Sequence, residues 1–394
     1  MYGDAFFFKN ALDSDWYTTL FLIHKEAGYI NLFSNISNLI NSKIININYA
    51  PLFNSYFCFL LLFILIYLIL FCNISLFKSD IQKYLIGLIF LIAPSFVFEI
   101  WLDALNAQIY LALIVLLILF LEAKNRIELF STPFILIIAG LSGIYSCLLF
   151  PLFLIKYFLN KKISNLINSL ILILTSLIQI TIVFISKTSG VLSSGKLDFT
   201  ISSTEFISFS YNILVRTFFS GTLPNYLMSN FENLKEDPNI LLLISFLIFS
   251  IFIFLLFLFI KRVIHSNKEG QLIFLYLSYF FLSSAILVLI GGVNDGISGR
   301  YSVIPGVCLL LIIFILSFQD KKVFLNYIAV FLLITTVGTG IFDFRDKKFI
   351  TYYDCINCPN WKSEILKLKM DSNYEVAVWP YKENKRIKLR LINN

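Results

Sequence analysis

Predominantly apolar runs recur from Asn54 to Ile341. Each approaches or exceeds the roughly 17 to 25 residues that carry an α-helix across a hydrocarbon layer. In lipid every backbone N–H and C=O must be satisfied within the segment, which leaves the helix as the general solution for such runs. The expected fold is therefore an all-α polytopic membrane protein. Composition agrees at the decisive point, with 58% hydrophobic and only 14% charged residues, against about 25% charged in an average soluble domain. A net charge of +7 could suggest a nucleic-acid partner. The Lys and Arg residues, however, sit in short connections between apolar runs, a pattern that reports membrane orientation and excludes that reading.

Orientation follows from those connections. A first crossing from Asn54 to Cys72 leads to Lys78 and Lys83, which mark the cytoplasmic side. Runs at Tyr84 to Phe98 and Gln108 to Leu121 enclose an outer loop containing Glu99, Trp101, Asp103, Asn106 and Gln108. The apolar material from Leu129 to Leu159 is broken at Gly140, Ser142, Gly143 and Pro151 and has basic residues at both ends, which predicts a hairpin of two short helices. Leu166 to Ile185 then crosses outward. After an outer segment over 187–238, the runs Ile240 to Ile260, Leu272 to Ile290, Ser302 to Phe318 and Phe324 to Ile341 complete about ten crossings. The sequence thus divides into an extracytoplasmic amphipathic loop (1–50), a transmembrane domain (51–342) and an extracytoplasmic tail (343–394), in which Tyr374 to Val378 reads as a short strand.

The first fifty residues are the conspicuous polar exception. Leu20, Phe21, Ile30, Phe33, Ile36, Leu39 and Ile40 recur at helical spacing with Asn, Ser and Lys between them, the pattern of amphipathic helices lying in the membrane interface. Met1 stands directly before this segment, so either the first apolar run inserts with its amino end outside or a leading membrane helix is encoded upstream. The outer face then collects Asp4, Asp13, Asp15, His24 and Glu26 with Glu99, Asp103, Arg216, Asp295 and Arg300. Carboxylates at a membrane surface can act as general bases or hold a divalent cation, and Arg can pair with phosphate.

Each residue also has a plainer reading. Asp13 and Asp15 precede a helical pattern and suit helix caps. Asp4 can be a solvated terminus, and His24 beside Lys25 and Glu26 can be ordinary surface. Trp101 and Tyr301 suit interface anchors as well as substrate contacts. Asp103, Asn106 and Gln108 lie together at the mouth of a crossing, where polar groups are costly enough to imply a use. Cys58, Cys72, Cys147 and Cys308 fall in or at the ends of apolar runs and read as small apolar groups. Cys355 and Cys358 form a C-x-x-C in the polar tail with no second pair or neighbouring His, which points to a local disulfide. No Walker loop, dinucleotide glycine pattern, H-E-x-x-H or G-x-S-x-G is present, which argues against an ATP-driven pump, a soluble-type transferase or a serine hydrolase.

The arrangement resembles the polytopic glycosyltransferases of the C-type fold, in particular bacterial members that use polyprenyl-phosphate sugars to modify cell-surface glycans. The resemblance rests on Gly3 and Asp4, Asp15, Trp16, His24, Gly28, Tyr29, Ala50 and Pro51, then Pro94, Trp101, Asn106 and Gln108, then Gly299, Arg300 and Tyr301, and Trp361, Trp379 and Pro380 in the tail. It implies an enzyme of the bacterial inner membrane with a lipid-linked sugar donor and a glycan or lipid acceptor. It further implies that Asp4, with Asp15 next, is the catalytic acidic residue. His24, Asp103, Asn106, Gln108, Arg216, Arg300 and Tyr301 would bind substrate. A divalent cation is compatible with this chemistry, although the Asp-Glu pair usual in the family is absent after Gly3. A transporter or flippase of lipid-linked glycans and a non-catalytic membrane protein are the alternatives.

Overall fold

The computed structural model describes residues 2–24, 28–92, 103–123, 126–190, 210–219, 243, 246–247, 249–250, 261, 268–291, 302–318, 324–345, 360–378 and 386–389. The chain forms two compact units. One comprises Met1–Asn73, Glu99–Leu192 and Lys347–Asn394, and the other Ile74–Phe98 and Ser193–Asp346.

The first unit opens with helix α1 (Tyr2–Asp13) and a short α2 (Trp16–Leu20). Strands β1 (Ile23–His24) and β2 (Tyr29–Ile30) then pair antiparallel, with Ile23 opposite Ile30 and His24 opposite Tyr29. Gly28 closes that hairpin at φ 74°, a left-handed conformation that glycine adopts without steric cost. Helix α3 (Leu32–Lys43) follows, its first turn capped by Asn31, which accepts from the Ser34 N–H at 3.2 Å. A single 3-10 turn (Ile47–Tyr49) leads into α4 (Ala50–Phe71), whose second residue, Pro51, suits a helix start because its missing N–H would have no intrahelical partner there.

The chain visits the other unit through α5 (Asp80–Ile92) and returns with α6 (Ala107–Leu119), α7 (Arg126–Gly140), α8 (Ile144–Cys147), α9 (Phe150–Asn160) and α10 (Ile163–Thr188). The predicted break between Leu129 and Leu159 is present and lies at the predicted residues. α7 ends on Gly140, Gly143 takes φ 144°, and Pro151 starts α9. Beyond Gln108 near its start, α6 is apolar all round and buried along its length, as a helix with no polar face must be.

In α4 and α10 the usual arrangement of a soluble helix is reversed. α10 turns Asn165, Asn168, Ser169, Thr175, Ser176, Gln179 and Ser186 inward and exposes Ile167, Leu170, Leu174, Leu177, Phe184 and Ile185. α4 exposes a continuous stripe of Leu52, Tyr56, Phe59, Phe63, Tyr67 and Phe71. Such faces suit hydrocarbon and are too extensive for a water-facing surface. α3 departs from the expected pattern differently, with both its apolar and its polar residues largely enclosed. Its Asn and Ser stripe is not the solvent side of an amphipathic helix, because Ser34, Asn35, Ser37, Asn38 and Asn41 are all buried. Their donor groups bond neighbouring backbone and side chains. Asn35 donates to the carbonyls of Leu20 and Leu22, Asn41 to that of Ala50, and Ser37 to Asn54 Oδ1.

Polar bonds tie the first unit together at both ends. At one end Asn31 and Asn41 of the opening segment reach Leu105 and Ala50, the starts of α6 and α4. At the other, Asn73 and Glu122 bond each other through both backbone and side chain, and Lys156 donates to the Leu119 carbonyl.

The second unit contains α5, a π-helical turn (Ser210–Val215) running into α11 (Arg216–Phe219), then α12 (Lys268–Gly291), α13 (Val303–Ser317) and α14 (Phe324–Arg345). α13 is buried almost throughout. The carbonyls at the end of α11 would lack helical partners, but Thr336 and Thr339 of α14 donate to those of Thr217 and Phe218 at 3.5 and 3.2 Å.

The tail returns to the first unit as α15 (Trp361–Met370) and the antiparallel pair β3 (Glu375–Ala377) and β4 (Arg386–Lys388), which bears out the strand expected near Tyr374. Ile365, Leu368, Val376, Val378, Ile387 and Leu389 close a small core against Phe8, Leu12 and Ala50. The opening segment and the tail are thus packed on each other.

Among the described residues three helices are long and apolar enough to cross a membrane: Ile47–Phe71, Ile163–Thr188 and Lys268–Leu289. Ala107–Leu119, Ile144–Asn160, Val303–Ser317 and Asn326–Phe342 are apolar but shorter. The helical class therefore stands, and three spans rather than about ten meet the length and hydropathy criteria. The run Ile240 to Ile260 lies almost entirely outside the described residues.

Candidate functional site

The polar residues at the mouth of α6 form the centre of the site. Asp103 and Asn106 are both nearly buried, and Asn106 Nδ2 donates to Asp103 Oδ2 at 2.6 Å. The other Asp103 oxygen accepts from the Leu105 N–H at 3.0 Å, a short turn that feeds the chain into α6. Asn31 reaches across from the opening segment and donates to the Leu105 carbonyl at 3.0 Å. Both Asp103 oxygens thus shape the start of α6, and Asn31 fixes that start to α3.

One turn further along, Gln108 lies against the hairpin, with Nε2 3.5 Å from the Tyr29 hydroxyl. A Cβ built on Gly143 would collide with the Gln108 side chain, so the α7–α8 break brings backbone right up to this amide. Tyr29 faces His24 across the β1–β2 pair, their rings 5.7 Å apart at 11°. His24 in turn stacks on Phe7 of α1 at 3.6 Å. A continuous series of side chains therefore runs from α1 through Phe7, His24, Tyr29 and Gln108 to the α6 mouth.

The hairpin is held from below by a residue that the sequence reading did not single out. Gln179 accepts from the Ile30 N–H at 3.1 Å and donates to the Ile30 carbonyl at 3.0 Å and the Gly140 carbonyl at 3.2 Å. Its amide pairs with the Ile30 backbone as a neighbouring strand would. Leu32 N–H to Leu141 carbonyl and Phe33 N–H to Ser142 Oγ, both at 2.9 Å, continue the attachment to the end of α7. The available signal was the spacing of Asn165, Asn168, Ser169, Thr175, Ser176, Gln179 and Ser186 on one face of an otherwise apolar run. In a membrane helix such a stripe marks the protein-facing side.

The acidic candidates of the first segment separate. Asp4 lies in the first turn of α1, so residues 2–13 are helix where a loop was expected. The cause is the apolar pair Phe8 and Leu12, one turn apart, buried against the tail. Asp15 is exposed and caps α2, accepting from the Thr18 N–H at 2.7 Å. Hydrogen bonding from Thr18 holds its carboxyl below the ordinary aspartate range. Asp13 is exposed at the end of α1.

Arg216 is buried and belongs to the second unit. Arg300, Tyr301, Cys355 and Cys358 lie outside the described residues, as do Glu26, Glu99, Trp101 and Asp295. Cys58, Cys72, Cys147 and Cys308 are buried thiols outside any disulfide, as the packing reading expects. Among the described residues no three His, Cys, Asp or Glu side chains gather in a metal-binding group.

No family model, curated protein or solved structure matches this chain.

Proposed function

We propose that this chain is an integral membrane glycosyltransferase, acting on the extracytoplasmic face of the bacterial inner membrane. It would move a sugar from a lipid-phosphate donor to a cell-surface glycan or lipid acceptor. Membrane residence is supported by the outward apolar stripes of α4 and α10 and by the inward polar ones. The observation that carries the catalytic reading is the side-chain series Phe7, His24, Tyr29 and Gln108, which links the helix bearing Asp4 to the polar mouth of α6. Aromatic faces beside amide, imidazole and phenol groups suit a hydroxyl-rich sugar, offering rings to pack on and both donors and acceptors.

In the proposed reaction the C1–O bond to the donor phosphate breaks and its electron pair leaves on the phosphate oxygen. The acceptor oxygen bonds to C1 and gives its proton to the Asp4 carboxylate. Asp4 is preferred to Asp15 because the Asp15 carboxylate is already engaged as a cap. His24, Asn106 and Gln108 would orient the sugar, and Asp103 would hold Asn106 in place. On the sequence alone, Arg300 or Arg216 is the candidate cationic partner for a leaving phosphate.

The test is glycan analysis of cells carrying Asp4→Asn. Loss of a general base lowers turnover by about 10²- to 10⁴-fold, so unmodified polymer should accumulate outside while the protein inserts normally. Normal modification by Asp4→Asn rejects the base assignment. Retention of lipid-linked precursor inside a deletion strain supports transport instead.

A further inference from the structure

We propose that α15 is an interfacial helix that lays its outer face on the headgroup layer of an anionic membrane, resting on the reading of Ile47–Phe71 as a membrane span. α15 has two apolar faces. The inner one, Ile365 and Leu368, is buried in the small tail core. The outer one is Leu366, 53% exposed, and Met370, 85% exposed, one turn apart. Lys362 and Lys369 lie on the same exposed side, and Lys367 flanks it. Burying Leu366 and Met370 would have been simple for a helix that merely packs on strands. Two large apolar side chains set among lysines have the composition of a helix lying on an anionic leaflet.

The position of α15 supplies the second argument. Trp361 Nε1 donates to the Ile47 carbonyl at 2.7 Å, the first residue of the candidate span. Lys362 Nζ lies 4.8 Å from the centre of the Tyr49 ring. Tyr49 is itself 50% exposed and heads the stripe that continues through Leu52, Tyr56, Phe59 and Phe63 down α4. If that stripe meets acyl chains, Tyr49 sits at the headgroup level, where tyrosines concentrate. Lys362, Leu366 and Met370 then start at the same level on the lipid side, with the lysines matched to lipid phosphate.

The experiment uses the full chain in vesicles, with a photocrosslinking benzoylphenylalanine placed at position 370, or at Phe63 as a report on the span. In phosphatidylglycerol-containing vesicles position 370 is expected to capture lipid. Yield should fall by up to about fivefold for each of Lys362→Gln and Lys369→Gln, because a lysine near an anionic leaflet is worth about that factor. It should fall likewise in pure phosphatidylcholine. Lipid adducts at Phe63 with none at 370 overturn the proposal while leaving the span intact. Absence of lipid adducts at Phe63 overturns the membrane reading and the proposal with it. Met370 is so exposed that replacement there leaves the tail core untouched.

Discussion

Gln179 shows how much one side chain can decide in this protein. It is 1% exposed and makes three bonds to the main chain, at Ile30 and Gly140. Gln179→Leu keeps approximate volume but leaves a buried N–H and two buried carbonyls without that partner. Each such group costs about 1–3 kcal/mol when nothing replaces the bond. Thermal unfolding in detergent micelles should show a clear fall in Tm, and an unchanged Tm would mean that the hairpin is held by other contacts. The same residue explains why the site was only partly legible. Asp103, Asn106 and Gln108 stood out in the sequence because polar groups at the mouth of an apolar run are costly. Gln179 lay within such a run with its partner almost 150 positions away, and no local spacing links it to Ile30.

At the scale of elements, the tail module shows a buried charge used to join a helix to a sheet. Glu364 of α15 is 3% exposed. Its carboxylate accepts from Lys367 at 2.7 Å, the Tyr374 hydroxyl at 2.8 Å and the Ala377 N–H at 2.9 Å. Burial acts to raise the Glu364 carboxyl, but these hydrogen bonds and the Lys367 charge outweigh it and hold the group below the ordinary glutamate range. A depressed folded value means that the ionised carboxylate stabilises the folded module above the unfolded value of about 4.3. That contribution is lost as pH falls through the lower folded value. Amide exchange at Ala377 should therefore stay slow from neutral pH down to about 5 and accelerate, beyond its intrinsic pH dependence, only in more acid solution. Glu364→Gln should abolish the pH-dependent change, and an unchanged profile in that variant would show that Glu364 is not its source. α3 makes a related point without charge. Its Asn and Ser stripe bonds the backbone of α2 and the start of α4, so an apparently amphipathic surface helix is an internal strut.

For the whole molecule, the first unit draws on the beginning, middle and end of the chain. Asn31 and Asn41 tie the opening segment to the starts of α6 and α4, Gln179 ties it to the later part of α10, and the tail packs on α1. Asn73, Glu122 and Lys156 are joined at the opposite ends of these helices. Single cysteines at Asp13 and Glu375, both exposed, should accordingly react with an impermeant thiol reagent from one side of the membrane. A cysteine at Lys161, between α9 and α10, should react from the other. Labelling of all three from one side would reject the crossing pattern of this unit.

Apolar run length, the Gly and Pro interruptions and the composition near Tyr374 were enough to specify a helical chain with helices long and apolar enough to cross a membrane, the break between α7 and α9, and the short strand of the tail. Those features depend on local backbone satisfaction and on transfer from water, both of which act within a few turns of chain. The direction in which the polar stripes of α3 and α10 point, the use of Asp15 as a cap and the Gln179 bonds to Ile30 and Gly140 depended on three-dimensional packing. In a bilayer, outward-facing apolar residues lose nothing by exposure. The interior is therefore selected by hydrogen bonds between distant segments, and periodicity along a single helix does not name the partner.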